Sequence, residues 1–361
     1  MHYTPESLDQ FARAVLEVFG CDDAERAIVA GHLVDANLTG HDSHGIGMLP
    51  LYGEQVIDGN LIPNQTPEFQ PSVGAIAVVD AKRGFGHRMA LMALDHAMRS
   101  ITEHKVAILA LRNSGHVSRV GTYSEYCAAQ GYVSLHFVNV VGHPPIVSPY
   151  GSAQSGFSTN PISMAMPVNN TAKPLLDIAT STVAFGKVRV ANNKGEQMPP
   201  GCLLDEHGTQ TLDPAPMAED RIGSLAAFGA HKGSGLGIFV ELLAGALASD
   251  HTVATMPHLP SGVINNMFSI IIDPSAFDDS RNIEQRTEEF YTYIKSRHPA
   301  RGVDEVLMPG EPEMRNRKSR AANGIYIDDE TIRQIEKVIL QFPDMNERRC
   351  DVILALLQPA S

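Results

Sequence analysis

Between residues 75 and 138 the sequence alternates short apolar runs with amphipathic stretches, and no other feature constrains the fold as strongly. Ala75-Ile76-Ala77-Val78-Val79-Asp80, Val106–Leu111 and Val133–Val138 have the length and β-branched content of buried strands. Helical periodicity fills the gaps, over about 87–104 and 122–130. Strand–helix–strand order argues for an α/β sheet, in which ligands collect beyond strand ends. Asn113-Ser114-Gly115-His116 follows the second run and places His116 at such an end.

The flanks read differently. Thr4 is a plausible N-cap with Pro5 at the first helical position, and Leu8, Phe11, Val15 and Leu16 recur at helical spacing up to Gly20. A second helix is predicted over 23–38, ended by Gly40, and a third over 49–58. Between them lies the glycine-bounded segment Gly40-His41-Asp42-Ser43-His44-Gly45. The stretch 142–235 is rich in Gly, Pro, Asn and Ser. A helix over Ser234–Ala248 and a strand over Phe268–Asp273 follow, and the remainder is charged and helical. A chain of 361 residues exceeds one typical core. The expected organisation is a helical lobe from 1–72 with 281–361, around an α/β lobe over 73–280.

Composition removes several function classes. With 41 acidic and 28 basic residues the formal charge is −13, a field that repels nucleic acid and anionic membrane surfaces. A carboxylate ligand would therefore need a local cationic pocket. Cys21, Cys127, Cys202 and Cys350 form no C-x-x-C, so reduced thiols in a cytoplasm are expected rather than a disulfide or zinc framework. The start MHYTPESLDQ has no apolar signal region, and the apolar stretch Gly235–Ala248 carries Glu241 and falls short of the roughly 20 residues a bilayer span needs. Asn169-Asn170-Thr171 matches a glycosylation sequon, expected by chance here.

A Rossmann G-x-G-x-x-G after a strand is absent: Gly84-Phe85-Gly86 lacks its third glycine in register. Lys232-Gly233-Ser234-Gly235-Leu236-Gly237 opens a helix, so it suits either phosphate contact through backbone N–H groups or close helix packing. No metalloprotease H-E-x-x-H or nucleophile-elbow G-x-S-x-G occurs, leaving His41, Asp42, His44 and His116 as a weak metal alternative. Ser43-His44 sets a hydroxyl beside an imidazole whose ordinary pKa of about 6.5 suits proton transfer. Arg119, three residues beyond His116, has a fork matching a carboxylate, or is an ordinary surface arginine.

Six blocks in order resemble the malate/L-lactate dehydrogenase family of NAD(P)-dependent oxidoreductases. They are residues 40–45 with Leu49-Pro50 and Tyr52; Asn113–His116; Ser158-Thr159-Asn160-Pro161; Leu176–Ser181 with Phe185-Gly186-Lys187; His231-Lys232-Gly233; and Met308-Pro309-Gly310-Glu311. Around 41–50 the wording is similar to the family's bacterial hydroxycarboxylate dehydrogenase branch. The resemblance implies a non-Rossmann, sulfolactate-dehydrogenase-like α/β fold: a central mixed sheet lobe plus a helical lobe from both termini, as a homodimer. It implies His44 and His116 as acid/base candidates with Ser43, and substrate contacts at Met48, Tyr52 and Arg119. Cofactor contacts fall on His44, Ser118, Arg119, Val120, Leu176, Asp177, Ile178, His231, Lys232, Asn265, Met308, Pro309, Gly310 and Glu311, with Asp177 and Asn265 toward ribose hydroxyls and Lys232 toward the pyrophosphate. No metal is implied.

Two positions depart from the family pattern. Met48 stands where many members carry an arginine that grips the substrate carboxylate, so Arg119 is expected to take that role. Val140 stands where some have a serine. The expected reaction is hydride transfer between NAD or NADP and a small 2-oxo or 2-hydroxy acid. Reduction of a cyclic or N-alkyl imine carboxylate, and a non-catalytic binding module, are the alternatives.

Overall fold

The computed structural model describes residues 1–168 and 174–360. The sequon at 169–171 lies outside them. The terminal helices form where the sequence predicts them. The first, α1 (Pro5–Val18), is capped by the Thr4 hydroxyl, which accepts from the Ser7 N–H at 3.1 Å. Its successor α2 (Asp23–Thr39) ends at Gly40, whose φ of +92° is the left-handed conformation that glycine adopts without strain. Next comes α3 (Leu49–Ile57).

A seven-stranded sheet forms the centre. In chain order its strands are β1 (Glu68–Phe69), β2 (Ile76–Asp80), β3 (Val106–Ser114), β4 (Val133–Val141), β5 (Ile162–Ala165), β6 (Leu175–Ile178) and β7 (Ile264–Ile272). Their spatial order is β1-β2-β3-β7-β4-β5-β6. Only β2 and β3 run parallel; every other neighbouring pair is antiparallel. The mixed sheet expected of an α/β chain is thus present. A late strand, β7, is inserted between β3 and β4, so these two sequence neighbours are not sheet neighbours.

Helices α4 (Gly86–Met98) and α5 (Gly121–Ala129) supply apolar side chains to one core, where Met89, Leu94, Tyr123 and Cys127 meet Leu109, Leu111, Val138 and Met267 of the sheet. A second core joins the chain ends. Leu8, Phe11, Leu16, Leu33 and Leu49 pack with Ile335 and Val338 of a late helix and with Cys350. Helix α6 (Phe185–Lys194) and short strands around Leu203 and Leu225 make a third, smaller core. All four cysteines are free and buried. Among the described residues no helix is long and apolar enough to cross a membrane.

Three boundaries differ from expectation. The helix predicted over 87–104 breaks after Met98 and resumes only as Ile101–His104. Strand β7 begins at Ile264 rather than 268, because its polar Asn265 and Asn266 find partners inside the sheet. The predicted Ser234–Ala248 helix starts earlier, as α7 (His231–Val240), and widens into a π-helix over Glu241–Leu247. At that change of pitch the Glu241 carboxylate accepts from Asn139 Nδ2 at 3.0 Å, Asn160 Nδ2 at 2.9 Å and the Val253 N–H at 2.8 Å, so a buried charge is held by three donors. Beyond β7 come α8 (Ser280–Lys295), which has no buried residue, then α9 (Glu311–Asn323), α10 (Asp329–Ile339) and α11 (Glu347–Leu354).

Candidate active site

The end of β3 delivers His116 through a loop pinned from two sides. Asn265 is buried, its Oδ1 accepting the Val117 N–H at 2.9 Å and its Nδ2 donating to the Asn139 carbonyl at 3.0 Å. On the other side, α4 begins against the loop. A side-chain carbon on Gly86 would lie 2.3 Å from the Gly115 carbonyl oxygen and 2.4 Å from that of His116. The Gly115 N–H donates to the Gly84 carbonyl at 2.9 Å. Gly84-Phe85-Gly86, which fails as a dinucleotide fingerprint, is therefore the buttress of the His116 loop.

The second loop carries His44. Buried Asn37 of α2 reaches across it, accepting the Ile46 N–H at 2.9 Å and donating to Asp42 at 2.8 Å. Arg320 of α9 grips the Asp42 carboxylate with two nitrogens, at 2.6 and 3.0 Å, and donates to the Asn37 carbonyl. Gly186, at the start of α6, lies against Ser43. Ser118 Oγ donates to the His44 carbonyl at 2.9 Å and so ties the two loops together. Asn37 and Arg320 lie outside the sequence reading, and Gly86 entered it only as part of a failed fingerprint. Their contribution is contact with a loop far away in the chain, and no local pattern marks it.

The two rings stack, with centroids 5.6 Å apart and planes 17° from parallel. His44 Nδ1 is 3.0 Å from Ser43 Oγ, and His116 Nδ1 is 2.8 Å from Tyr52 Oη. Each ring thus has Nδ1 engaged, and among the described residues neither Nε2 has a hydrogen-bond partner. Each keeps an exposed edge yet sits deep in the protein. Burial, helped by His41 and Arg119, pushes His44 down to about 4. Burial, with His44 and His143 nearby, pushes His116 down to about 3. Both are neutral at pH 7 in the ligand-free protein. An anion bound beside them favours the protonated form and moves them back up.

The structure shows what already surrounds several of the expected site residues. Tyr52 is 1% exposed and lies beneath His116, so it supports the histidine rather than meeting substrate. Arg119 is 2% exposed and faces three carboxylates: Glu125 at 2.8 Å, Asp177 at 3.3 Å and Asp35 at 3.5 Å. These carboxylates already offset the charge of the guanidinium that was expected to act as the clamp in place of an arginine at Met48. Asp177 is turned to Arg119, and Asn265 is engaged by the His116 loop and the Asn139 carbonyl. Met48 packs against the terminal core and Val120 is buried in the sheet core. Glu311 is taken up by Lys295 at 2.9 Å and the Met308 N–H at 2.9 Å, which shapes the Met308-Pro309-Gly310 loop beside β6, where the Leu175 N–H meets the Pro309 carbonyl at 3.4 Å. Leu176 and Ile178 flank Asp177 on β6. His231 and Lys232 are exposed on the first turn of α7; among the described residues no hydrogen bond or ring contact joins them to His44 or His116. The metal alternative does not assemble: Asp42 pairs with Arg320 and His41 with Glu313 at 3.5 Å. No cluster of three or more His, Cys, Asp or Glu ligands occurs among the described residues.

Residues 3–336 match the family model for malate/L-lactate dehydrogenase. The chain belongs to the malate/L-lactate dehydrogenase family. It is 40% identical over 328 residues to hydroxycarboxylate dehydrogenase B of Escherichia coli K12, covering 90% of each chain. It is 32% identical to the L-sulfolactate dehydrogenase of Methanocaldococcus jannaschii, over 92% of this chain and 95% of that one. Solved structures agree. An E. coli chain of the malate/lactate dehydrogenase type superposes with a TM-score of 0.93 at 38% identity over 99% of both chains, and the M. jannaschii sulfolactate dehydrogenase with 0.83 at 31% identity over 94% and 96%. The chain is therefore an oxidoreductase with the family's sulfolactate-dehydrogenase-like fold.

Two predictions follow from these placements. Arg119→Ala leaves Asp35, Glu125 and Asp177 without their shared cation. It should cost about 3–5 kcal/mol of unfolding free energy, as breaking a buried ion pair does, while KM for a 2-oxo acid stays near wild type; a large rise in KM with unchanged stability would restore the clamp. The second concerns pH. His87 and His136 are fully buried, and burial holds His87 well below its ordinary value and His136 at about 3. In the unfolded chain both titrate near 6.5, so below that pH the unfolded state binds more protons and stability falls with pH. Each contributes a slope approaching about 1.4 kcal/mol per pH unit between pH 6 and 4.5. Urea unfolding at pH 7, 6 and 5 reads this directly; a flat profile contradicts it.

Proposed function

We propose that the chain interconverts a small 2-oxo acid and the corresponding 2-hydroxy acid, using NAD or NADP, with His116 as acid/base. The supporting observation is the stacked histidine pair, each ring with Nδ1 tied and Nε2 free, at the junction of two buttressed loops. His116 is the better placed for proton transfer because its tether is the buried Tyr52, whereas His44 is tethered to exposed Ser43. His44 Nε2 then orients the substrate, and Ser43 orients His44.

The residues present fit a nicotinamide dinucleotide at α7. Its N-cap is Ala230, which has no side chain to cap the first turn, and Lys232 is exposed there. The positive end of a helix beside a cation suits a pyrophosphate. Close by, the buried Oδ1 of Asn160, whose Nδ2 donates to the Gly237 carbonyl, lacks a partner. Bound there, the dinucleotide would supply or accept the hydride at the substrate's C2 carbon. The chain's task is to align the acid, exclude water and hold a proton at His116 Nε2. On this reading the cofactor lies between the 73–280 lobe and the lobe of 1–72 with 281–361.

Reduced cofactor should be consumed, read at 340 nm, with at least one member of a 2-oxo acid panel. His116→Asn should lower kcat by about 10²–10⁴-fold. Silence across the panel in both directions, with NAD and NADP, would sink the enzyme reading. Turnover only when an amine accompanies the oxo acid would favour an imine carboxylate, the substrate class in the name of a Pseudomonas putida relative 29% identical to this chain.

We also read the protein as a homodimer. Ile238, Phe239, Leu242 and Leu247 are 41–67% exposed along the α7 and π-helical segment, an apolar face that a second copy would cover. Light scattering should report twice the chain mass, and Phe239→Asp should shift it to one.

A further inference from the structure

Behind His116 lies a hydrogen-bonded chain that reaches a histidine no sequence motif marks. Tyr52 Oη is 2.8 Å from His116 Nδ1 and 3.5 Å from Nε2 of His87, the second residue of α4. The Tyr52 and His87 rings meet edge to face, centroids 5.6 Å apart. Both side chains are buried, Tyr52 1% and His87 0% exposed. His87 Nδ1 has no partner. Around His87 stand His32, ring centroid 5.4 Å away, and Tyr52, with His116 and His44 farther along the chain.

Proton counting orders the chain. A phenol carries one proton and donates it to one of two flanking nitrogens; the other nitrogen must then donate to the oxygen. A neutral imidazole has a single N–H. With that N–H on Nδ1, His87 would bury an unpaired donor. With it on Nε2, the N–H meets Tyr52 Oη and only a lone pair goes unpaired in the core, which is the less costly orphan. Tyr52 therefore accepts from His87 and donates to His116 Nδ1. His116 Nδ1 is then an acceptor, and the ring's own proton must sit on Nε2, the nitrogen facing the ligand.

We propose that His87, acting through Tyr52, fixes neutral His116 in its Nε2–H tautomer, so that the ring presents a donor to the substrate's carbonyl oxygen. Tyr52 and His87 are positioning residues, and neither touches substrate. The inference rests on reading His116 as the acid/base. The Nε2–H form donates a hydrogen bond to the carbonyl oxygen of a 2-oxo acid and to the same oxygen in the 2-hydroxy acid, so losing the chain weakens one contact used in both directions of the reaction.

The test is ¹⁵N-histidine NMR of the whole protein, with His116→Asn to assign the ring, alongside kinetics of two pairs of variants. In wild type the His116 signals should be those of an unprotonated Nδ1 and a protonated Nε2. Tyr52→Phe should mix the tautomers and lower kcat about tenfold in both directions, with KM within twofold. His87→Met should do the same, while His87→Gln, which keeps an N–H toward Tyr52, should recover most of the loss. Thermal melts identify variants that fail to fold, and for those the wild-type spectrum alone decides. A wild-type His116 protonated at Nδ1 overturns the proposal, as do folded Tyr52→Phe and His87→Met proteins with unchanged kcat and unchanged spectra. Full activity in His116→Asn would instead remove the acid/base reading, and the tautomer measurement would still judge the chain by itself.

Discussion

The active site depends on one close approach, between the first residue of α4 and the carbonyls of Gly115 and His116. The space between them admits a hydrogen on Gly86 and no carbon. Because the backbones meet there, α4 carries His87 directly under the loop and the loop carries His116 over α3, where Tyr52 fills the gap. Moving α4 out by the width of a methyl group would break this arrangement, as well as the Gly115 to Gly84 hydrogen bond. Backbone carbonyls cannot swing aside as a flexible side chain does, so the fold meets the constraint with glycine.

Electrostatics follow a similar economy. The chain is strongly acidic, and its best-buried cation near the site, Arg119, is surrounded by three carboxylates that join α2, α5 and β6. On the proposed reading, an anionic substrate would be met by the Nε2 atoms of two histidines whose burial disfavours charge. Such a pair gains most from a ligand that is itself negative, since the anion offsets the cost of protonating a desolvated imidazole.

Much of this was legible in the sequence where the signal is local. Thr4 with Pro5, Gly40 after α2 and the apolar runs at 76–80, 106–111 and 133–138 each report on their own few residues, and the elements formed there. Ser43, His44 and His116 stood out because residue type and position at a loop or strand end coincide. The contacts that hold Arg119, Asn265 and Tyr52 were not legible in the sequence, because most of them come from residues far off in the chain. Asp35 and Asp177 flank Arg119 from opposite sides along the chain, and Asn139 lies 126 residues from Asn265.

By itself the sequence determined the secondary-structure alternation, the absence of a Rossmann fingerprint, the family and the two histidines proposed to carry the chemistry, because all of these reside in residue identity and short spacing. The tertiary structure alone decided which polar groups remain free. Insertion of β7 between β3 and β4 brings Asn265 to the His116 loop, and the Gly86 contact brings His87 beneath it. Whether a carboxylate, amide or guanidinium can reach a ligand depends on what has already claimed it, and in a folded chain those partners come from anywhere in the sequence.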